Sequence, residues 1–203
     1  MQTKNIIFDL GGVLLNLNIN NTLNAYKTMG IHNIENYFGI GHADSFFKQY
    51  EKGAINDEEF ITSIERLCGN GVKKPEIIEA WNALLLDFPP DRVAWLRALK
   101  NKYRLFLFSN TNAIHLSCFQ KSFEKEYGFH MDELFERAYY SHLVQLRKPD
   151  KAAYEYVLNE NNLLAAETVF IDDALVNVEA ANAVGIKGMH LQAGISVTSL
   201  KFI

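Results

Sequence analysis

Four short apolar runs, rich in β-branched and aromatic residues, punctuate the chain at residues 5–8, 104–108, 168–171 and 187–191. The first three are apolar almost throughout rather than alternating, as strands covered on both faces are. A weaker run at 138–141 offers a fifth strand. Helical periodicity fills the intervals at residues 92–102, 113–127, 151–159 and 176–184, and Gly185 suits the end of the last of these. Strands that alternate with helices of this length predict a parallel sheet with right-handed crossover helices on both faces, a Rossmann-like α/β core.

One stretch breaks the alternation. Between residues 18 and 88 the pattern yields only amphipathic helical segments, near 21–29, 43–52, 57–67 and 76–86. In the third, Phe60, Ile61, Ile64 and Leu67 share a face, with Asn56 or Asp57 as N-cap. Pro75 suits the start of the fourth, and Pro89-Pro90 closes the segment. The expected architecture is an α/β core from residues 1–15 and 89–203, with an all-helical cap at 16–88 inserted after the first strand. The neighbouring Phe46, Phe47 and Tyr50 are expected in the core of that cap.

Composition narrows the partners. The 203 residues are 48% hydrophobic and 22% charged, enough apolar material for a core, which excludes disorder. With 20 Lys+Arg against 24 Asp+Glu, the net charge of −4 provides no basic surplus for nucleic acid. No uninterrupted apolar run approaches the roughly 18 residues of a membrane span. The first residues, with Lys4 and Asp9, are too short an apolar stretch and too acidic for a signal peptide. Cys68 and Cys118 show no metal or redox spacing, as expected of reduced thiols in a cytoplasmic protein.

Four of the strands end in a group capable of chemistry. Asp9 and Leu10-Gly11-Gly12 follow the first strand, Ser109-Asn110-Thr111-Asn112 the 104–108 strand, Arg147-Lys148-Pro149 the 138–141 strand, and Asp172-Asp173 the 168–171 strand. Singly, each has an ordinary reading as a turn, a helix cap or a solvated lysine. Those readings do not explain why all four stand at strand ends, where open α/β sheets bind ligands. Gathered together, Asp9, Asp172 and Asp173 would repel one another, and a hard divalent cation such as Mg2+ relieves that conflict. Lys148 brings positive charge for a phosphate, and Ser109 with the following N–H groups can hold phosphoryl oxygens. Gly11 and Gly12 allow close backbone approach, and Asp9 is left as nucleophile.

In this combination and order the four motifs resemble those of the haloacid dehalogenase-like hydrolase superfamily, in the branch whose helical cap follows the first strand. Within it, the Asp-Leu-Gly, Ser-Asn-Thr-Asn and Arg-Lys-Pro segments are similar to those of small bacterial sugar-phosphate phosphatases, glucose-1-phosphate phosphatases among them. The resemblance covers essentially the whole chain. It implies a Mg2+-dependent phosphatase acting on a small phosphorylated metabolite through an aspartyl-phosphate on Asp9. It implies further that Asp9, the Gly11 carbonyl, Asp173 and nearby Asp172 hold the metal. Ser109, Asn110 and Lys148, with Leu10 and Gly11, would receive the phosphoryl group.

The chain departs from its family at Gly11, where most phosphatases of the superfamily carry an aspartate serving as general acid and base. That leaves two alternatives in view, a 2-haloacid dehalogenase and a phospholigand-binding protein of low turnover. The first would leave the paired Asp172-Asp173 unexplained; the second rests on Gly11 alone. His42, Tyr50 and Lys52 lie where they could face the cleft, although a solvated surface is their ordinary setting. His115, His130, His142 and His190 have no pairing of metal-site spacing. The sequence does not specify an oligomeric state.

Overall fold

The computed structural model describes residues 2–36, 46–68 and 71–202. Strands β1 (Asn5–Phe8), β2 (Arg104–Ser109), β3 (Arg137–Tyr140), β4 (Thr168–Asp172) and β5 (Lys187–His190) form one sheet. Every pairing is parallel and the order is β3-β2-β1-β4-β5. The chain builds outward from β1 to β3, then crosses back to lay β4 against the other side of β1. Chain order reverses between β1 and β4, which is where a crevice opens at the carboxyl ends of the strands.

The helices are, in chain order, α1 (Ile19–Thr28), α2 (Phe46–Glu51), α3 (Asp57–Cys68), α4 (Lys74–Asn82), α5 (Pro90–Leu99), α6 (Ala113–Tyr127), α7 (Ser141–Val144), α8 (Lys151–Glu160) and α9 (Leu175–Ala183). Alternation within the strands assigns them to two layers. Ile6, Phe8, Leu105 and Leu107 pack with Val93 and Leu96 of α5 and Phe119 and Phe123 of α6. Ile7, Phe106, Phe108 and Phe170 pack on the other face with Tyr154 and Val157 of α8 and Ala181 of α9.

Helices α1 to α4 bury a third cluster. Phe60 lies at its centre, wholly buried, with Phe47, Tyr50 and Trp81 rings 4.3–5.6 Å away. Asn56 caps α3 reciprocally: its Oδ1 accepts from Glu59 N at 3.0 Å, and Glu59 Oε2 accepts from Asn56 N at 2.8 Å.

The fourth cap helix ends at Asn82 rather than 86 because the residues beyond it have another partner. Asn18 N donates to Leu84 O, Leu86 N to Asn16 O and Asn16 N to Asp87 O, each at 2.9–3.0 Å. The entry and exit of the cap thus form a two-stranded strap in which Leu17 pairs antiparallel with Leu85. Pro90 does not only close the cap: it opens α5, two residues before the expected start. Ser141 leaves the third strand to begin α7.

Cap and core also meet at a buried joint. Trp81 Nε1 of α4 donates to Oδ1 of Asn112 at 3.2 Å, and the same oxygen caps α6 by accepting from His115 N at 3.0 Å. The His115 ring stacks on Trp81 at 4.4 Å and donates from Nε2 to the Trp81 carbonyl at 3.0 Å. Its Nδ1 then accepts from the Asn112 amide at 3.1 Å, so the neutral ring is fully partnered. Burial pushes the His115 pKa down from 6.5 to about 4, against the pull of the Trp81 carbonyl. Between these values the unfolded chain takes up a proton that the folded chain refuses, so the contribution is complete above pH 6.5 and declines as pH falls toward 4. Urea unfolding from pH 7 to pH 5 is therefore expected to show a steeper acid loss for wild type than for His115→Gln. The difference in slope approaches about 1.4 kcal/mol per pH unit, and parallel curves would contradict the buried neutral ring.

Candidate active site

The register of the sheet sets the first contact. Phe8 pairs with Ile171, and Asp9 N donates to Ile171 O at 2.9 Å, so Asp9 and Asp172 leave adjacent strands side by side. Between them lies Lys148, 1% exposed, whose Nζ is 2.6 Å from Asp9 Oδ1 and 2.6 Å from Asp172 Oδ2. Its ammonium also lies over the Phe170 and Phe108 rings, at 5.2 and 5.6 Å from their centroids. Burial works against that charge, yet Asp9 and Asp172 outweigh it and hold the Lys148 pKa above the usual lysine value.

Asn110 fixes this lysine from β2. Its Oδ1 accepts from Lys148 N and its Nδ2 donates to Lys148 O, both at 2.9 Å. The amide is therefore bonded to the Lys148 main chain at both ends. Ser109 stands beside it, buried at the end of β2. The next turn is held by Ser141, whose Oγ accepts from Thr111 N and donates to Thr111 O.

Asp172 is equally engaged. Its Oδ1 accepts from Ala174 N at 2.8 Å, and Asn177 Nδ2 lies 3.0 and 3.1 Å from its two oxygens. Asp173 points to the exposed side, and oxygens of Asp9, Asp172 and Asp173 lie within 4.8 Å of one another. Burial, then the neighbouring carboxylates, raise the Asp9 pKa to about 7 despite Lys148. Burial and Asp172 raise that of Asp173 as well. Three carboxylates against one ammonium leave two negative charges in excess when all are ionised, a set that a divalent cation matches in charge and in oxygen chemistry.

The loop after β1 shapes the remaining edge. Gly12, Val13, Leu14 and Leu15 donate their N–H groups inside the loop, whereas Leu10 and Gly11 donate to none of its carbonyls. Gly12 has φ +74°, and a Cβ there would collide with the Asp173 carboxylate, so the position demands glycine. Gly11 has no such backbone; a Cβ on it would meet only the end of the Leu17 side chain, at 2.6 Å.

Most of these groups border one cleft of about 280 Å3 between core and cap. Asp9, Leu10, Gly11, Ser109, Asn110, Lys148 and Asp173 line it, while Asp172 lies behind Lys148, fully buried. Of the cap residues singled out from sequence, Tyr50 is buried, donating from its hydroxyl to Asp57 at 2.6 Å, and Lys52 pairs with Asp150 on the surface. His42 lies outside the described residues. The cleft is reached instead by Glu51, between them, and by Asn177 of α9. Neither belongs to a motif: Asn177 is five residues past Asp172, a spacing only the α9 turn makes meaningful. His115 lines the cleft but bonds to Trp81, His142 Nδ1 donates to Thr111 O, and His190 Nε2 donates to Asp173 O. No described histidine belongs to the carboxylate group.

Among the described residues, no helix is long and apolar enough to cross a membrane. A family model for haloacid dehalogenase-like hydrolases matches residues 3–185. The chain is 23% identical to a D-ribitol-5-phosphate phosphatase of Bacteroides thetaiotaomicron over 192 residues, 94% of this chain and 93% of that one. It is 33% identical to a sesquiterpene phosphatase of Aspergillus oryzae, covering 93% of this chain and 89% of the relative. A HAD family enzyme of Bacteroides thetaiotaomicron, crystallised with magnesium and inorganic phosphate, superposes with a TM-score of 0.89 at 34% identity over 96% of this chain and 97% of that one. Sheet order, strand-end carboxylates and these likenesses agree, and the chain belongs to the haloacid dehalogenase-like hydrolase family.

Proposed function

We propose that this chain is a Mg2+-dependent phosphatase that hydrolyses a small phosphomonoester, a sugar or polyol phosphate, through an aspartyl-phosphate on Asp9. The observation that carries the reading is the buried Lys148 ammonium held between Asp9 and Asp172, with Asp173 facing the same cleft. The two relatives named as phosphatases and the neighbour holding magnesium and phosphate support it.

Lys148 occupies Asp9 Oδ1, while Oδ2 accepts no hydrogen bond from the described residues and is the oxygen available to attack phosphorus. As that bond forms, the ester P–O bond breaks and the departing oxygen takes a proton. Water then cleaves the acyl phosphate, releasing inorganic phosphate and restoring Asp9. The N–H groups of Leu10 and Gly11, which donate to no partner among the described residues, and the Ser109 hydroxyl would receive phosphoryl oxygens. Asn110 acts through Lys148, holding its main chain rather than offering its own amide. With Asp172 engaged by Lys148, Asn177 and Ala174, the groups left to hold Mg2+ are Asp9, Asp173 and the Gly11 carbonyl. When bound, Mg2+ neutralises the carboxylates and draws charge from the phosphoryl oxygens. A dehalogenase reading finds no comparable use for this excess of carboxylates.

Asp9→Asn retains an oxygen for Lys148 and should stay folded while losing turnover. Mg2+-dependent release of phosphate from phenyl phosphate measures this, and wild-type rates in the purified variant would remove the mechanism. Mg2+ should also stabilise the protein without substrate, by about 2.7 kcal/mol at roughly 100 times Kd. Asp173→Ala should lose most of that gain in a thermal melt, whereas an unchanged gain would displace Asp173 from the metal.

Gly11 leaves the leaving oxygen without a carboxylic acid beside it. General acid–base catalysis is worth roughly 10²–10⁴-fold, so substrates with poor leaving groups suffer most. Gly11→Asp, combined with Leu17→Ala to clear the space its side chain enters, should speed hydrolysis of an alkyl phosphate far more than that of phenyl phosphate. Equal effects on both substrates would show that the proton comes from another group.

A further inference from the structure

We propose that Glu51 reads the hydroxyl groups of the leaving alcohol, with Arg147 as the residue that positions it; this rests on the phosphatase reading above. Among the described residues, Glu51 is the one charged side chain that the cap contributes to the cleft. Its Oε2 accepts from Arg147 Nη2 at 2.7 Å, and both side chains are largely withdrawn from solvent, at 29% and 18% exposure.

The end of α2 is seated too firmly for this to be a wandering surface glutamate. Ile114 N donates to the Tyr50 hydroxyl at 3.2 Å, which ties the last turn of α2 to the start of α6. Gly53 packs so closely on the His142 carbonyl that a side chain there would collide with it. Each of these contacts joins the end of α2, or the turn after it, to the core. Glu51 lies among them and faces the cavity that also holds Asp9 and Lys148.

Charge decides what Glu51 can bind. A bare carboxylate beside a phosphate dianion would repel the substrate, and the Arg147 guanidinium offsets that repulsion. Arg147 takes only one of the two oxygens, and its own Nε is buried without a partner among the described residues, so the pair is not a closed bidentate clamp. Oε1 of Glu51 accepts no hydrogen bond from the described residues, which leaves a fixed anionic acceptor directed to O–H donors. The strap and the start of α1 supply the complementary surface: Leu17, Leu84 and Leu85 of the strap and Ile19 of α1 line the same cleft. An apolar wall and one anchored carboxylate fit an alcohol with a C–H face and a hydroxylated edge, which is the chemistry of a sugar or polyol monophosphate. A simple alkyl phosphate would satisfy the wall and leave the carboxylate unanswered.

The test compares ribitol 5-phosphate with n-pentyl phosphate, which has the same carbon count and lacks the hydroxyls. Wild type should prefer ribitol 5-phosphate in kcat/KM. Glu51→Ala should reduce the ratio of the two kcat/KM values about 10- to 100-fold, chiefly through KM for ribitol 5-phosphate, the size expected for a hydrogen bond to a charged group. Glu51→Gln, which keeps an acceptor oxygen, should recover part of the ratio. Lys52→Ala breaks the adjacent surface pair without facing the cleft, and should leave the ratio unchanged. A wild type without preference, an unchanged ratio in Glu51→Ala, or an equal fall in Lys52→Ala would overturn the assignment. Phenyl phosphate keeps the two readings apart: no Mg2+-dependent release from it by wild type overturns the phosphatase itself, and this inference with it.

Discussion

The buried ammonium of Lys148 is the interaction on which the site depends. Two carboxylates on neighbouring parallel strands, nearly sealed from water, would not both remain ionised without it. Removing one member of such a buried set leaves the others uncompensated, at about 3–5 kcal/mol. The surrounding structure holds the lysine where it is needed. The β1–β4 pairing sets Asp9 beside Asp172, Asn110 grips the lysine main chain from β2, and Asn177 with Ala174 N satisfies Asp172 from α9. The Phe108 and Phe170 rings beneath keep water from weakening the attraction.

That arrangement is deliberately unbalanced in charge, and the imbalance has chemical value. Lys148 compensates one carboxylate's worth of charge and leaves Asp9 raised to about 7, short of a comfortable anion. A divalent cation would complete the neutralisation, and Asp173 stands on the open side to help hold it. The two glycines of the loop have different reasons to be there. Gly12 is required by its left-handed backbone and by the nearness of Asp173. Gly11 has no backbone requirement of that kind, and Leu17 from the strap fills the space a side chain would take. The omission of an acid there is coupled to the way the cap is joined to the core.

The cap is tied to the core in three physically different ways. The strap uses main-chain hydrogen bonds, the α4–α6 joint uses the Trp81–Asn112–His115 network, and α2 uses polar contacts that end in the Glu51–Arg147 pair. Arg147 immediately precedes Lys148, so the partner of Glu51, the one charged cap side chain among the described residues that lines the cleft, and the partner of Asp9 share a peptide bond. In the proposed reaction, the positions of the alcohol and of the phosphoryl group would both be referred to this short segment.

Much of this was legible in the sequence, because buried parallel strands must be continuously apolar and functional groups must follow them. The runs ending at Phe8, Phe108 and Ile171 declared both the sheet and the positions of Asp9, Ser109 and Asp172. The helical character of the insert was equally legible, since Phe60, Ile61 and Ile64 recur at helical spacing. Periodicity could not show that residues 84–86, apolar and apparently helical, would leave α4 to pair with the chain entering the cap, because strand pairing with a segment some seventy residues away has no local signature. Nor could it show that Asn110 would turn its amide onto Lys148, or that Asp172 would be enclosed while Asp173 stayed open. Those outcomes depend on side-chain direction at the end of a twisted sheet. Glu51 was hidden for the same reason: it lies between Tyr50 and Lys52 on one helical turn, and only the docking of α2 against the core decides that the middle residue faces the cleft.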